Sequence, residues 1–213
     1  MSHKQLTFKE HARERALYAG SAISSPHELW LWEPVMVRYY KTIESYGDAM
    51  LNCVDELIVN ALDHWTRSTE TPTSEGGPVR NIWISLDKIS GVVSIMNDGP
   101  GIPCVNDWPG RTTECYMPEA ICSQERMGSN FNDTIDKDRI TGGLNGLGIK
   151  VAFIAGDYAG VETTDIISRK HYYQTFRERL EFVDPPILMD LPRNATETRN
   201  CSLRPEQLKP ILG

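Results

Sequence analysis

The chain has 213 residues, enough for one domain with its own core and short for two. Apolar residues make up 40% and charged residues 24%, ordinary globular values that exclude wholesale disorder. With 22 Lys and Arg against 29 Asp and Glu, the net charge is −7, which makes the domain a poor binder of a phosphate backbone by itself.

The N-terminus, MSHKQLTFKEHARERALYAG, is charged throughout and has no apolar core of the signal-peptide kind, and this polar opening reaches Gly20. LWLWEPVMVRYY at 29–40 is aromatic and apolar, and with Pro34 as a break it reads as extended or turn structure. Residues 47–66 carry a helical period: Val54, Leu57, Ile58, Ala61, Leu62 and Trp65 make one stripe. A polar Pro/Gly-rich loop follows at 66–78. VRNIWISLD and GVVSIMND, separated by KIS, predict a β-hairpin. Gly99 to Arg111 is a loop, Tyr116–Arg126 a short helix after Pro118, and Gly128–Thr141 a polar stretch. The glycine-rich run Gly142–Gly148 feeds a helix over Ile149–Ala155. Then come the strand-like VETTD, a mixed HYYQTFRERL segment, the Pro185-Pro186 break and a last run near 199–203. Helices and antiparallel strands interleaved in this way predict an α+β fold in two layers. No run of 18 apolar residues is present, so no membrane helix is expected. The five cysteines form no CxxC pair and their number is odd, which favours reduced thiols in an intracellular protein.

Three segments have the residue types that chemistry needs. Glu56, Asn60 and Asp63 fall at i, i+4 and i+7 and share a helical face, set here opposite the apolar stripe. Glu56 could serve as a general base and Asn60 could offer an oxygen to Mg²⁺; alternatively the three form an ordinary solvated polar face. Asn97-Asp98-Gly99-Pro100-Gly101-Ile102-Pro103 ends a β-type run. Its glycines permit a tight turn near a ligand, and Asp98 could accept a hydrogen bond from an exocyclic amine; a plain hairpin turn is the alternative. The third is GGLNGLGIK, with Gly143, Asn145, Gly146, Gly148 and Lys150, running straight into an apolar helix. Backbone N–H groups there could converge on phosphates at the positive end of the helix, with Lys150 adding a point charge. No Gly-Lys-Ser/Thr follows, so it is not a Walker loop, and it lacks the GxGxxG of dinucleotide folds.

In this order the three segments resemble the Bergerat ATP-binding fold of type II topoisomerases, heat-shock chaperones, mismatch-repair ATPases and histidine kinases. Within that group the chain resembles most the ATPase domain of type II DNA topoisomerases of eukaryotes and large viruses. The family patterns DEILVNAxDN, NDGxGIP and GGRNGYGAKL stand here as DELIVNALDH, NDGPGIP and GGLNGLGIKV. KEHARERALYAGS and YMPEAICSQERMGSNFND resemble two further family stretches, and the likeness covers nearly the whole chain.

The resemblance implies a two-layer α/β sandwich with helices on one face of a mixed, mostly antiparallel sheet. It implies an N-terminal arm at 1–24 and an ATP-binding domain at 25–213, and it places the transducer and DNA-cleavage domains outside these residues. Glu56 matches the base that activates the attacking water, and Asn60 the Mg²⁺ ligand. Asn97 matches the adenine contact, with Asp98, Gly101 and Ile102 in its turn. Ser129 and Asn130 match ribose and phosphate contacts, and Gly143, Asn145, Gly146, Gly148 and Lys150 the triphosphate loop. Asp63 matches the pocket wall. The implied cofactors are ATP and Mg²⁺, and the implied partners a second copy through the N-terminal gate and DNA through the rest of the enzyme, with no membrane. The implied location is intracellular, in the nucleus or cytoplasm of a eukaryotic or virus-infected cell.

The sequence departs from the family at Gly128, Leu144, Leu147 and His64, which replace a serine, an arginine, a tyrosine and an asparagine. An N-terminal tyrosine that reaches the partner's nucleotide in the family is not evident; His3 sits near its position. Other Bergerat enzymes, and a non-hydrolysing ATP-dependent dimerisation module, are the alternatives. The histidine-bearing dimerisation helix of the kinases does not precede the motif, and Glu56 favours hydrolysis.

Overall fold

The computed structural model describes residues 6–14, 20–21, 23–70, 77–111, 113–124, 146–192 and 200–204. Helix α1 (Phe8–Glu14) opens the chain. Thr7 and Glu10 bond reciprocally at its start, Thr7 N to Glu10 Oε2 at 2.8 Å and Glu10 N to Thr7 Oγ1 at 3.3 Å. Phe8 and Ala12 pack on the core, so the polar opening has an apolar side that its charge density conceals.

Strands β1 (Ser25–Glu33) and β2 (Arg38–Tyr46) form a separate antiparallel hairpin. Glu28, Trp30 and Trp32 share one face with Tyr39, Lys41 and Ile43, because register partners point the same way. Trp30, Trp32, Tyr39 and Ile43 are all exposed, and Lys41 and Glu28 are ion-paired between them.

The long helix α2 (Asp48–Glu70) buries Cys53, Leu57, Ala61 and Ser68, roughly every fourth residue. This corrects the stripe read from the sequence. Leu62 and Trp65 are nearly half exposed, at 47% and 48%, whereas Asp63 is buried. Glu56 and Asn60 border the packed side of α2 and do not lie opposite it: at about 100° per residue they fall about 60° and 20° around the helix from buried Cys53.

The main sheet contains β3 (Ile82–Asp87), β4 (Val92–Asn97), β5 (Tyr158–Asp165), β6 (Lys170–Arg177), β7 (Phe182–Val183), β8 (Ile187–Asp190) and β9 (Asn200–Arg204). The strand order is β3-β4-β9-β5-β6-β7, with β8 also paired to β6, and every pairing among the described residues is antiparallel. The last strand in sequence, β9, therefore sits between β4 and β5. One face of the sheet is packed: Val93, Ile95, Ala159, Val161, Tyr172 and Phe176 are buried. At the edge, β3 leaves Ile84 and Leu86 exposed.

Helices α3 (Met117–Ser123) and α4 (Gly148–Ala155) complete the core. Residues 149–154 of α4 are all buried, as expected of a helix apolar on every side. It packs against α2, α1 and α3. Phe153 meets Phe176 of β6 in a tilted ring contact, centroids 5.4 Å apart, and Arg179 Nε donates to Ile154 O at the helix end, 3.0 Å away. A buried polar chain ties α3 to the sheet: Tyr172 Oη donates to Gln174 Oε1 at 2.6 Å, and Gln174 Nε2 donates to Glu119 Oε2 at 2.7 Å. The four described cysteines, Cys53, Cys104, Cys115 and Cys122, are free thiols. No helix among the described residues is long and apolar enough to cross a membrane.

Candidate functional site

The site forms where the side of α2 meets the first turn of α4. Gly148 opens α4, and the Glu56 side chain occupies the space where its side chain would be. A Cβ on Gly148 would overlap Glu56 Oε2 and lie 2.5 Å from Glu56 Cδ. Two residues 92 positions apart thus bring a carboxylate against the start of a helix. Leu147, at the N-cap, makes no side-chain cap hydrogen bond. The carboxyl of Glu56 is pushed above its ordinary range by burial, then by the negative charges of Asp55 and Asp63.

Asn60 Nδ2 donates to the Glu56 carbonyl at 2.6 Å, which turns the amide oxygen away from the helix. Asp63 is buried, at 6% exposure. Lys150 is only 1% exposed, and its Nζ donates to the Gly146 carbonyl. Burial lowers its pKa to about 8, so the amine still carries its proton at neutral pH. The bond to Gly146 ties the lysine to the residue two before α4 begins. Gly146 has φ 59°, in the left-handed region that favours glycine.

The Asn97–Pro103 turn is pinned at two places. Asn97 is buried, and its Oδ1 accepts the Gly99 N–H at 3.1 Å. Asp98 bonds to the residues that lead into β3. Its Oδ1 accepts the N–H groups of Arg80 and Asn81 at 2.7 and 2.9 Å, and its Oδ2 accepts Asn81 Nδ2 at 2.7 Å. The carboxylate fixes the start of β3. At Gly101 a Cβ would lie 2.6 Å from the Thr164 carbonyl carbon, so only glycine lets this turn lie on β5. Ile102 N–H donates to Thr163 Oγ1 at 2.8 Å and Cys104 N–H to Asp165 Oδ2 at 2.9 Å, which clamps the turn to that strand.

Burial opposes the charge on Asp98, but its backbone and side-chain hydrogen bonds outweigh that and hold its pKa below the ordinary 3.8. A depressed carboxylate pKa contributes stability that is complete above the unfolded value and is lost as pH falls through the folded one. The urea midpoint of the chain is therefore expected to drop between pH 5 and 3, and Asp98→Asn to be less stable at pH 7 with a flatter acid limb. Parallel acid limbs for the two proteins would contradict this account.

Thr163 and Asp165 were missed by sequence reading. The signal available was a run of polar residues inside an otherwise buried strand, where burial demands hydrogen-bond partners. Ser129, Asn130, Gly143 and Asn145 lie outside the described residues. A separate cavity of about 430 Å³, lined in part by Asn106, Arg111, Cys115 and Pro186, includes none of the predicted site residues. Among the described residues, no group of three or more His, Cys, Asp or Glu could hold a metal ion.

Known proteins are similar to this chain in sequence and in fold. In sequence the chain is 34% identical over 188 residues to DNA topoisomerase 2 of African swine fever virus, covering 85% of the chain. It is 31% identical over 189 residues to the probable DNA topoisomerase 2 of Dictyostelium discoideum, covering 89%. In structure it matches the ATPase and transducer domains of DNA topoisomerase II from Balamuthia mandrillaris, with a TM-score of 0.81 at 26% identity over 96% of the chain. The ATPase region of Saccharomyces cerevisiae topoisomerase II has the same fold, with a TM-score of 0.80. No protein-family model matches the chain. It spans 15% and 11% of the two sequence relatives and 50% of each of these solved chains.

The fold is therefore that of the topoisomerase II ATPase region, an α+β domain with antiparallel sheets. The chain is homologous to the N-terminal ATPase region of DNA topoisomerase II of eukaryotes and African swine fever virus.

Proposed function

We propose that the chain is an ATP-binding and ATP-hydrolysing gate module of a type II DNA topoisomerase, built as a two-layer Bergerat sandwich. The observation that carries this reading is the Glu56 carboxylate set against Gly148 at the head of α4. The phosphates lie at the N-terminal end of α4, where the helix dipole favours negative charge. Asn97 meets the adenine. Glu56, its pKa raised by burial and by the charges of Asp55 and Asp63, takes a proton from a water in line with the γ-phosphate. Lys150 fixes the Gly146 carbonyl at the approach to α4.

The donor set fits Mg²⁺. Asn60 presents one amide oxygen, and no all-protein cage is found among the described residues. Magnesium commonly takes few protein ligands and completes its shell with phosphates and water. When bound it would neutralise charge on the phosphate oxygens. ATP binding favours a closed state of two copies, a switch as much as a fuel. DNA is engaged by other parts of the enzyme, in keeping with the net charge of −7.

The test is calorimetry of ATP with and without Mg²⁺. Binding is expected with the metal, and Asn60→Ala should weaken it by about 1.5–3 kcal/mol, the usual cost of a lost charge-assisted contact. Equal affinity of variant and parent would misplace the phosphate site.

A further inference from the structure

The β1–β2 hairpin takes no part in the site at α2 and α4. Among the described residues its contacts are chiefly between its own two strands, and a two-stranded hairpin alone in water is marginally stable. One face turns toward the body: His27 Nε2 lies 3.4 Å from Asp48 Oδ1 at the start of α2, and Leu29 and Leu31 are half-buried. The opposite face presents Trp30, Trp32, Tyr39 and Ile43, between 49% and 69% exposed. Trp32 and Tyr39 meet in a tilted ring contact, centroids 5.0 Å apart, so this aromatic surface is already ordered.

The charges on that face select the occupant. Along the ladder it has one acid, Glu28 on β1, and one base, Lys41 on β2, ion-paired across the strands and each just over half exposed. A face with one charge of each sign is complementary to itself. Turned about a two-fold axis between the two charges, a second copy brings its Lys41 over Glu28 and its Glu28 over Lys41, and sets apolar surface on apolar surface. A partner charged with one sign only leaves one of the two groups facing its like. The six side chains offer roughly 700 Å² per copy, more than the largest apolar patch of a typical monomer and near the ~800 Å² per partner of a standard interface.

We propose that the outer face of the hairpin is a contact surface for a second copy of this chain, formed without nucleotide. This rests on the two-copy reading given above and adds to it a contact that precedes closure by ATP.

The experiment is sedimentation equilibrium of the chain and of Trp30→Ala, Glu28→Lys and Lys41→Glu, with and without Mg²⁺ and a non-hydrolysable ATP analogue. Circular dichroism confirms that each variant is folded. The parent is expected to dimerise without the analogue. Trp30→Ala should weaken the dimer about thirtyfold or more, the scale of an aromatic hot spot, and each charge reversal about tenfold or more. An equimolar mixture of Glu28→Lys and Lys41→Glu should regain the parent's affinity, because two lysines then face two glutamates. An ion pair that acts only within one copy predicts no rescue on mixing, and that result overturns the proposal. So does a dimer that all three variants form as tightly as the parent. If copies pair only with the analogue, and the variants pair equally well, the gate reading stands and the hairpin inference alone fails. A parent that is monomeric without the analogue overturns the inference in either of two ways. Trp30 shielded from iodide means that the chain's own residues cover the face; Trp30 quenched by iodide means that the face is left for a different partner.

Discussion

Glu56→Gln is expected to leave ATP affinity within a few-fold of the parent and to lower hydrolysis by about 10²–10⁴, the usual contribution of general-base catalysis. Gln keeps the shape that fills the space beside Gly148, so α2 and α4 should pack as before. What is lost is the proton acceptor. The carboxyl is suited to that role because burial and the charges of Asp55 and Asp63 lift its pKa. Phosphate release at saturating ATP, set beside calorimetry on the same samples, separates the two effects. Undiminished turnover would remove Glu56 from the mechanism.

Gly148→Ala is expected to be nearly as damaging by a different route. The new methyl would occupy the position of Glu56 Oε2 and come within 3.2 Å of Glu56 Cγ. Either the carboxylate swings aside or the first turn of α4 retreats, and both misplace the base against the phosphates. A displacement of about 1 Å commonly costs about 10²-fold in rate. The fold should survive, because Gly148 does not sit at positive φ and alanine is the better helix former. The expected signature is an unchanged or raised melting temperature with turnover down about 10²-fold. Combined with Glu56→Gln, the second change should add little, because both act on one group. Full additivity in the double variant would mean that Gly148 acts independently of the base.

Some of this was legible from local pattern and some was not. The β3–β4 hairpin, α4 and the Gly99–Arg111 loop follow from period-two alternation and glycine and proline punctuation, which depend only on neighbours in sequence. The pairing of Glu56 with Gly148 could be suspected only from the family resemblance, because nothing local at either position marks the other. The α2 stripe was misjudged at Leu62 and Trp65 because hydrophobicity does not say which side of a helix finds a partner. The actual packed side includes Cys53, Ser68 and buried Asp63, residues that a hydrophobic count discounts. Asp98 looked like a ligand contact because its motif is outward-facing in type. Its engagement with Arg80 and Asn81 depends on how β3 begins, 17 residues earlier. The burial of Lys150 was equally invisible, since a lysine in a glycine loop reads as a surface charge.

The position of β9 governs when the domain can assemble. Residues 200–204 supply the strand between β4 and β5, so the two halves of the main sheet share no direct ladder across that seam. During synthesis β3 and β4 pair early, and β5 and β6 pair soon after they emerge. Each half then presents an open edge with nothing to zip against until the end of this segment leaves the ribosome. Pairing Ile95 with Leu203 also spans 108 positions, a non-local contact of the kind that slows folding. The nascent chain thus passes through an interval with two exposed strand edges, in which a chaperone or a neighbouring nascent copy competes for the seam that β9 will close.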